Sequence, residues 1–158
     1  MPAKIDGLYG VSLGKPYTDS KLPSQISTRP YTDSNLSDFD PSCTLLPKRK
    51  WDPYEGKPYS WIRVSKLEKT GRVYLIEAIP RTIYLEGMLS LVKEKYGIKP
   101  EIRQFPDTKK DYYFFGDPRS DRAILLWQDG WRVRIEAVDY GLKKLVEKEK
   151  RELELDAL

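Results

Sequence analysis

Tyr59-Ser60-Trp61-Ile62-Arg63-Val64-Ser65 opens the stretch that decides the fold, and Leu67-Glu68-Lys69-Thr70-Gly71 followed by Arg72 to Pro80 completes it. Trp61, Arg63 and Ser65 alternate with Ile62 and Val64, the period of two that predicts a half-buried strand. The five residues from Leu67 to Gly71 have turn chemistry. Arg72 to Ile79 then reads as a second strand, ended by Pro80, so the two predict a hairpin.

Working outward towards the C-terminus, Leu85, Met88, Leu89, Val92 and Tyr96 recur at helical spacing, with Thr82 as candidate N-cap and Gly97 as the stop. Ile98 to Phe105 alternates weakly, Asp107 to Lys110 is a polar loop, and Asp111 to Phe115 is rich in aromatic residues. Gly116-Asp117-Pro118 marks a turn, and the apolar run Ala123 to Trp127 suits a central strand. Asp129-Gly130 signals another hairpin. After it, Trp131, Val133, Ile135 and Ala137 are expected on one face, and Arg132, Arg134 and Glu136 on the other. A last helix from about Asp139 takes its apolar stripe from Leu142, Leu145, Val146 and Leu153. This order predicts one α+β domain over residues 59–158, an antiparallel or mixed sheet with two main helices packed on it.

Working outward the other way, residues 1–58 read as an extended or partly disordered arm. Eight of the twelve prolines and eight serines fall within the first sixty residues, and no apolar period is sustained. Lys15-Pro16-Tyr17-Thr18-Asp19-Ser20 is echoed by Arg29-Pro30-Tyr31-Thr32-Asp33-Ser34, and Lys57-Pro58-Tyr59-Ser60 repeats part of it. Turn chemistry explains such segments, because Pro sets φ while Thr, Asp and Ser bond nearby backbone. They could equally form an arm whose cation and ring lie along a phosphate backbone or a partner subunit. Lys57 is the copy nearest the predicted core.

Composition limits the chemistry. The 158 residues contain no His and one Cys, Cys43. That excludes His-based triads, His-ligated zinc, an internal disulfide and a two-cysteine redox motif. No signal-peptide pattern and no apolar run of membrane-spanning length occurs, so a soluble intracellular protein with no membrane partner is expected. One Asn, three Gln and two Met beside a third of charged residues lean towards a hot environment. The net charge is +4, and residues 61–135 alone carry +5. Such a local excess favours a polyanion.

Carboxylates, lysines, tyrosines and arginines remain as reactive groups. They suit phosphodiester hydrolysis, in which Asp or Glu holds Mg²⁺ or another divalent cation and Lys or Arg offsets phosphate charge. They also suit sugar hydrolysis by a carboxylate pair, and the positive core tilts the choice towards phosphate. Neither a P-loop nor a dinucleotide fingerprint is present. Glu86 stands out in Arg81-Thr82-Ile83-Tyr84-Leu85-Glu86-Gly87, just after a strand and in the first turns of a helix. An acid there also simply complements the helix dipole, by about 0.3–1 kcal/mol. Asp117 and Asp121 flank a turn and could ligate a metal, and Asp107-Thr108-Lys109 matches half of a nuclease-type Asp-x-Lys arrangement. Arg63, Arg132 and Arg134, with Trp61 or Trp127 nearby, could track a nucleic-acid backbone by charge and stacking, or could guard a sheet edge.

Taken together, Lys57-Pro58-Tyr59 at the start of the fold and Tyr84-Leu85-Glu86-Gly87 opening the first helix, in a His-free α+β chain of this size, resemble the small double-stranded-DNA nuclease of Acidianus filamentous virus, a lipothrixvirus. The resemblance implies a fold distantly like the nucleotidyltransferases and a catalytic role for Glu86, with Lys57 near the DNA. It also implies a virus-encoded protein working in the host cytoplasm on linear duplex DNA. The nucleotidyltransferase Gly-Ser followed by an Asp-x-Asp pair is absent, so nucleotide transfer is not expected. The sequence thus predicts a nuclease with Glu86 as general base or metal ligand, and with Lys57, Arg63, Arg81, Arg132 and Arg134 binding DNA. The alternative is a viral DNA-binding or packaging protein without catalysis, and a third reading is a virion or subunit-interaction protein using the Pro-Tyr arm.

Overall fold

Alternating and apolar runs become strands here, and the central ones are buried along almost their whole length. The computed structural model describes residues 3–17, 27–30, 56–82 and 84–158. The strands are β1 (Gly7–Leu8), β2 (Val11–Ser12), β3 (Ser27–Pro30), β4 (Tyr59–Lys66), β5 (Val73–Pro80), β6 (Glu101–Gln104), β7 (Asp111–Gly116), β8 (Arg122–Asp129) and β9 (Arg132–Asp139). The helices are α1 (Leu85–Tyr96), the single turn α2 (Tyr140–Lys143) and α3 (Leu145–Ala157). β1 and β2 form a small hairpin, and the other seven strands form one sheet in the order β3-β4-β5-β9-β8-β7-β6. β3 runs parallel to β4 and every other neighbouring pair is antiparallel. The α+β domain expected from the sequence is therefore present. No helix among the described residues is long and apolar enough to cross a membrane.

Both faces of the sheet are covered. On one face Ile62, Val64, Ile76, Ile124, Ile135 and Ala137 pack with Met88, Val92 and Tyr96 of α1. On the other, Leu75, Ala123, Leu125 and Val138 pack with Leu142 of α2 and Val146 of α3. Each fully buried side chain of this size contributes roughly 1.5–3 kcal/mol. The double cover changes the reading of β4, because Arg63 and Ser65, which the alternation placed on a half-exposed face, are both 0 % exposed.

The helix boundaries have local causes. α1 begins two residues later than Thr82 would set it: its N-cap is Tyr84, in extended conformation and with no side-chain cap bond, and Glu86 is the acid of its first turn. It ends at Gly97, whose φ of 63° supplies the left-handed cap and whose N–H donates to the Lys93 carbonyl. α3 is anchored through the buried Glu149, whose Oε1 accepts from the Lys69 backbone N–H at 3.2 Å, and through an ion pair between Lys69 and Glu152. At the β8–β9 hairpin the loop residues are Gly130 and Trp131, since Asp129 pairs with Arg132. Trp131 is 73 % exposed at this turn and does not share the face of Val133, Ile135 and Ala137.

Residues 3–17 correct the expected boundary at residue 59. Ile5, Val11 and Leu13 are part of the core under α1, and β3 adds a further strand beside β4. The segment is held by polar groups that the rest of the chain aims at its backbone. Arg122 donates from Nη1 to the Ile5 carbonyl at 3.4 Å and from Nη2 to the Leu13 carbonyl at 3.2 Å, while Nε bonds Asp139 at 3.0 Å. Arg72 Nε reaches the Gly14 carbonyl at 2.8 Å. Gly14 has φ of 80°, the left-handed region that favours glycine, and a Cβ there would push on Arg122 Nη2 at 2.7 Å. Tyr31 to Ser34 of the middle echo, and Cys43, lie outside the described residues.

Asp117 completes this anchor. Its carboxylate accepts from the Ile5 N–H at 3.2 Å, the Arg119 N–H at 2.9 Å and Arg119 Nε at 3.3 Å. Burial pushes its pKa up, but the two backbone donors and the Arg119 guanidinium outweigh this and hold it below the ordinary 3.8. A depressed carboxylate stabilises the fold above the unfolded value and loses that contribution as pH falls through the folded one. Asp117→Asn is expected to cost about 1–3 kcal/mol at pH 7. The gap between variant and wild type in urea unfolding should close as the pH is lowered below the ordinary aspartate range; a gap independent of pH would assign Asp117 a purely steric role.

Candidate functional site

The sequence-predicted residues separate into two groups at different depths. Lys57, Arg81 and Glu86 lie at one end of the sheet. β5 ends at Pro80, and the next residue turns back on the segment that leads into β4: the Arg81 N–H donates to the Pro58 carbonyl at 2.9 Å and Arg81 Nε to the Lys57 carbonyl at 3.0 Å. One backbone bond and one from the Arg81 guanidinium thereby hold the two residues side by side. α1 starts four residues beyond Arg81, and its first turn presents Glu86 and the 71 % exposed Tyr84 to solvent. A Cβ built on Gly87 would be 3.4 Å from the Thr82 methyl, so this turn sits against the Arg81-Thr82 segment.

Beside Lys57 is a cleft of about 400 Å³ that brings two of the three echoed segments together. It is lined by Tyr9 to Ser12, Lys15-Pro16-Tyr17, Lys57-Pro58-Tyr59 and Val73. Lys15 is as firmly placed as Lys57. Its carbonyl accepts from the Val73 N–H at 3.0 Å, the Tyr17 N–H donates to the Gly71 carbonyl at 3.2 Å, and Pro16 bridges Arg72. Proline suits the middle position because it has no N–H to satisfy. Among the described residues the lining contains two lysines and no carboxylate. Sequence reasoning noticed the echo but treated the first copy as arm.

Arg63 and Arg134 are elsewhere, inside the fold. Their guanidiniums lie on the sheet face opposite α1, each 5.3 Å from the centre of the Trp61 ring, and the two residues are 0 % and 2 % exposed. The expected association with Trp61 is there, but not the expected accessible face. Arg132, at the end of the same row, is half-buried, with its guanidinium 5.0 Å from the Trp131 ring. Burial lowers the Arg132 pKa, Asp129 opposes that and the Arg134 charge adds to it.

What Arg63 does touch is a carboxylate that sequence reasoning passed over. Its Nε and Nη2 donate to Glu77 Oε1 and Oε2 at 3.1 and 2.9 Å, a two-bonded pair with side chains 0 % and 3 % exposed. Glu77 is directly opposite Arg63 on one side and directly opposite Glu136 on the other. Two carboxylates facing each other across neighbouring strands cannot both remain charged cheaply. Burial first, and then the charge of Glu77, raise the Glu136 pKa well above 4.5, against the pull of Lys143, Arg134 and Arg63. The signal was available: Glu77 is the lone charged residue in the run Val73–Pro80, and Glu136 is the one acid in Val133–Val138.

Chemically, a protonated acid beside an ionised one can donate a proton. Glu136 and Glu77 are 1 % and 2 % exposed, however, and the row ties β4, β5 and β9 together rather than meeting a solute. Trp61 Nε1, Ser65 Oγ and Glu136 Oε2 on this face have no hydrogen-bond partner among the described residues. No group of three or more metal-ligating side chains occurs among the described residues either. Mg²⁺ can be held by one or two carboxylates together with substrate phosphates, and Glu86 has the exposure that such binding needs.

Two measurements test the buried row. Glu77→Leu strands the Arg63 charge and is expected to cost about 3–5 kcal/mol in denaturant unfolding. Glu136 has a raised pKa, so its contribution is fully present below the unfolded value of 4.5 and is lost as pH rises above it. Glu136→Gln should therefore gain on wild type as the pH is raised from 4 to 8. A wild type that gains on the variant over that range would show Glu136 to be charged in the fold.

Compared with protein-family models, with characterised proteins and with solved structures, the chain matches none.

Proposed function

We propose that the chain is a deoxyribonuclease that hydrolyses phosphodiester bonds of linear double-stranded DNA, with Glu86 as the reacting carboxylate and Lys57 and Arg81 as phosphate ligands. The observation that carries this reading is the clasp of Arg81 on the Lys57-Pro58 backbone, which sets two cationic residues side by side just before the helix turn that exposes Glu86. Fixed cations beside an exposed acid fit the needs of phosphodiester hydrolysis: charge to position and neutralise the phosphate, and a carboxylate to activate water or to hold a divalent cation. The absence of His from the chain leaves the carboxylate as the natural base. Arg132 extends the positive surface in this reading; Arg63 and Arg134, being inside, support the sheet instead.

A metal held by Glu86 would supply a nucleophilic water and a counter-charge for the phosphate. The chain's own groups do the rest, with Lys57 and Arg81 positioning the scissile phosphate and the first turn of α1 presenting the acid. A virus-encoded role in the host cytoplasm belongs to the same proposal and draws on the lipothrixvirus resemblance alone.

The test is incubation of linear and circular duplex DNA with wild-type protein and Glu86→Gln, with Mg²⁺, with Mn²⁺ and with chelator. Cleavage should fall by about 10²- to 10⁴-fold in the variant, while its melting temperature and DNA affinity stay close to wild type, because an exposed substitution costs little. Loss of wild-type cleavage on chelation would make Glu86 a metal ligand, and persistence a general base. Lys57→Ala should weaken DNA binding and reduce its salt dependence, by about 0.9 in log–log slope for each phosphate no longer neutralised. Binding without any strand scission would favour the DNA-binding or packaging alternative.

A further inference from the structure

We propose that Trp131, at the tip of the β8–β9 hairpin, is a stacking platform for an open base face of the DNA, such as a duplex end or the border of a single-stranded gap presents. This deepens the nuclease reading and rests on it for the polymer that is bound.

Placement comes first. One end of the sheet collects the start of β4, the end of β5, the start of β9, the end of β8 and the start of β7, because each of these strands runs antiparallel to its neighbour. The β5–β9 ladder closes with Ala78 opposite Ile135, and three residues beyond that pair lie Arg81 on one strand and Arg132 on the other. Trp131 therefore belongs to the sheet end that carries Lys57, Arg81 and the start of α1. From β5 across β9 and β8 to β7 is three strand spacings, ~14 Å, the length of about four steps along one DNA strand.

Exposure and support come second. Trp131 is 73 % exposed, whereas Trp61 and Trp127 are 0 % and 3 % exposed. The turn does not ask for a ring: Gly130 takes the positive φ, 63°, and the position after it in a Gly-first hairpin turn needs no special residue. The tip is braced all the same. Gln128 Nε2 donates to the Gly130 carbonyl at 3.0 Å and to the Arg132 carbonyl at 2.9 Å. The Asp129 carboxylate pairs with Lys110 of the β6–β7 loop at 3.9 Å and with Arg134 at 3.5 Å. A ring on such a support loses little freedom when it stacks. Charge comes third. The Arg132 guanidinium is 5.0 Å from the Trp131 ring centre, and Lys109 and Lys110 are exposed on the neighbouring loop. Asp107 and Asp111 flank those lysines, while Asp129 is taken up by its two pairs. Aromatic rings beside cations bind nucleic acid through the flat face that every base has. Inside a duplex those faces are covered by neighbouring pairs, and only an end or a gap leaves one open. Such a platform favours linear over closed circular DNA without reading sequence.

Competition binding tests the platform, with the full chain carrying Glu86→Gln so that strands stay whole. The competitors are linear duplex, a covalently closed circle and the same circle with a single-stranded gap, at equal phosphate. Linear and gapped DNA should bind about tenfold more tightly than the closed circle, and all three less tightly as salt is raised. Adding Trp131→Ala should lose about that factor on linear and gapped DNA and little on the closed circle, and Trp131→Phe should recover most of it. A loss confined to linear DNA assigns the platform to a terminal base pair, and one confined to gapped DNA to an unpaired base. The platform is overturned if Trp131→Ala, melting where its parent does, binds the three forms in the parent's proportions, or weakens open and closed DNA equally, as a groove contact would. Loss of binding to anionic phospholipid vesicles, with DNA binding unchanged, would make the tip a membrane contact instead. Cleavage with Glu86 in place separates the two proposals, since Trp131→Ala should raise KM on linear DNA several-fold at nearly constant kcat. Cleavage that Trp131→Ala leaves untouched removes the platform alone. A Trp131-dependent preference for open DNA without any cleavage by wild type removes the nuclease reading and leaves the platform as a DNA contact.

Discussion

The two-bonded pair between Arg63 and Glu77 is the interaction on which the rest of the sheet depends. It lies in the middle of β4 and β5, at 2.9 and 3.1 Å and almost wholly out of water. A buried ion pair of this kind adds little net stability over an apolar pair of equal size, but it penalises any arrangement that separates its members. A one-residue slip of β4 against β5 would move Arg63 to the face packed by α1 and leave both charges stranded. The pair thus selects the register. Through Glu77 it also acts on Glu136 on the next strand, whose pKa is raised by burial first and by the Glu77 charge second.

Register at the centre has consequences at the rim. With Arg63 opposite Glu77, and with a bulge-like register shift between Tyr59 and Trp61, Tyr59 falls opposite Pro80. That puts Lys57 and Pro58 within reach of Arg81, and α1 starts from there. The N-terminal segment is placed by a different route: its backbone carbonyls are collected by Arg122 and Arg72, and its Ile5, Val11 and Leu13 fill the core under α1. Two copies of Lys-Pro-Tyr, more than forty residues apart in the chain, then line one cleft. The positive character of this region comes from placement as much as from composition, since 28 basic residues are nearly balanced by 24 acidic ones over the whole chain.

Strand and helix positions were legible from Trp61 onward, because a period of two or of 3.6 is a local property and the turns carry Gly, Pro or Asp. The C-terminal stop at Gly97 and the run Ala123 to Trp127 are of this kind. Depth was not legible. Arg63 and Arg134 have the same alternation as exposed strand arginines, and only the cover on both sheet faces, with Glu77 directly opposite Arg63, makes them interior. The start of α1 escaped for a related reason, since Thr82 is a good cap by type, while the chain is still committed at that point to its bonds with Lys57 and Pro58.

By itself, the sequence determined the α+β class, the order of the elements from Tyr59, the lack of any imidazole or disulfide chemistry, and the choice of Glu86 as the acid in the first turn of a helix. These follow from composition and from periodicities a few residues long. Tertiary structure alone decided that residues 3–17 belong to the core, that Glu77 and Glu136 stand side by side, and that Lys15 joins Lys57 around a cleft. Those facts depend on contacts between residues tens of positions apart, and local pattern carries no information about which distant backbone group an arginine such as Arg122 will bind.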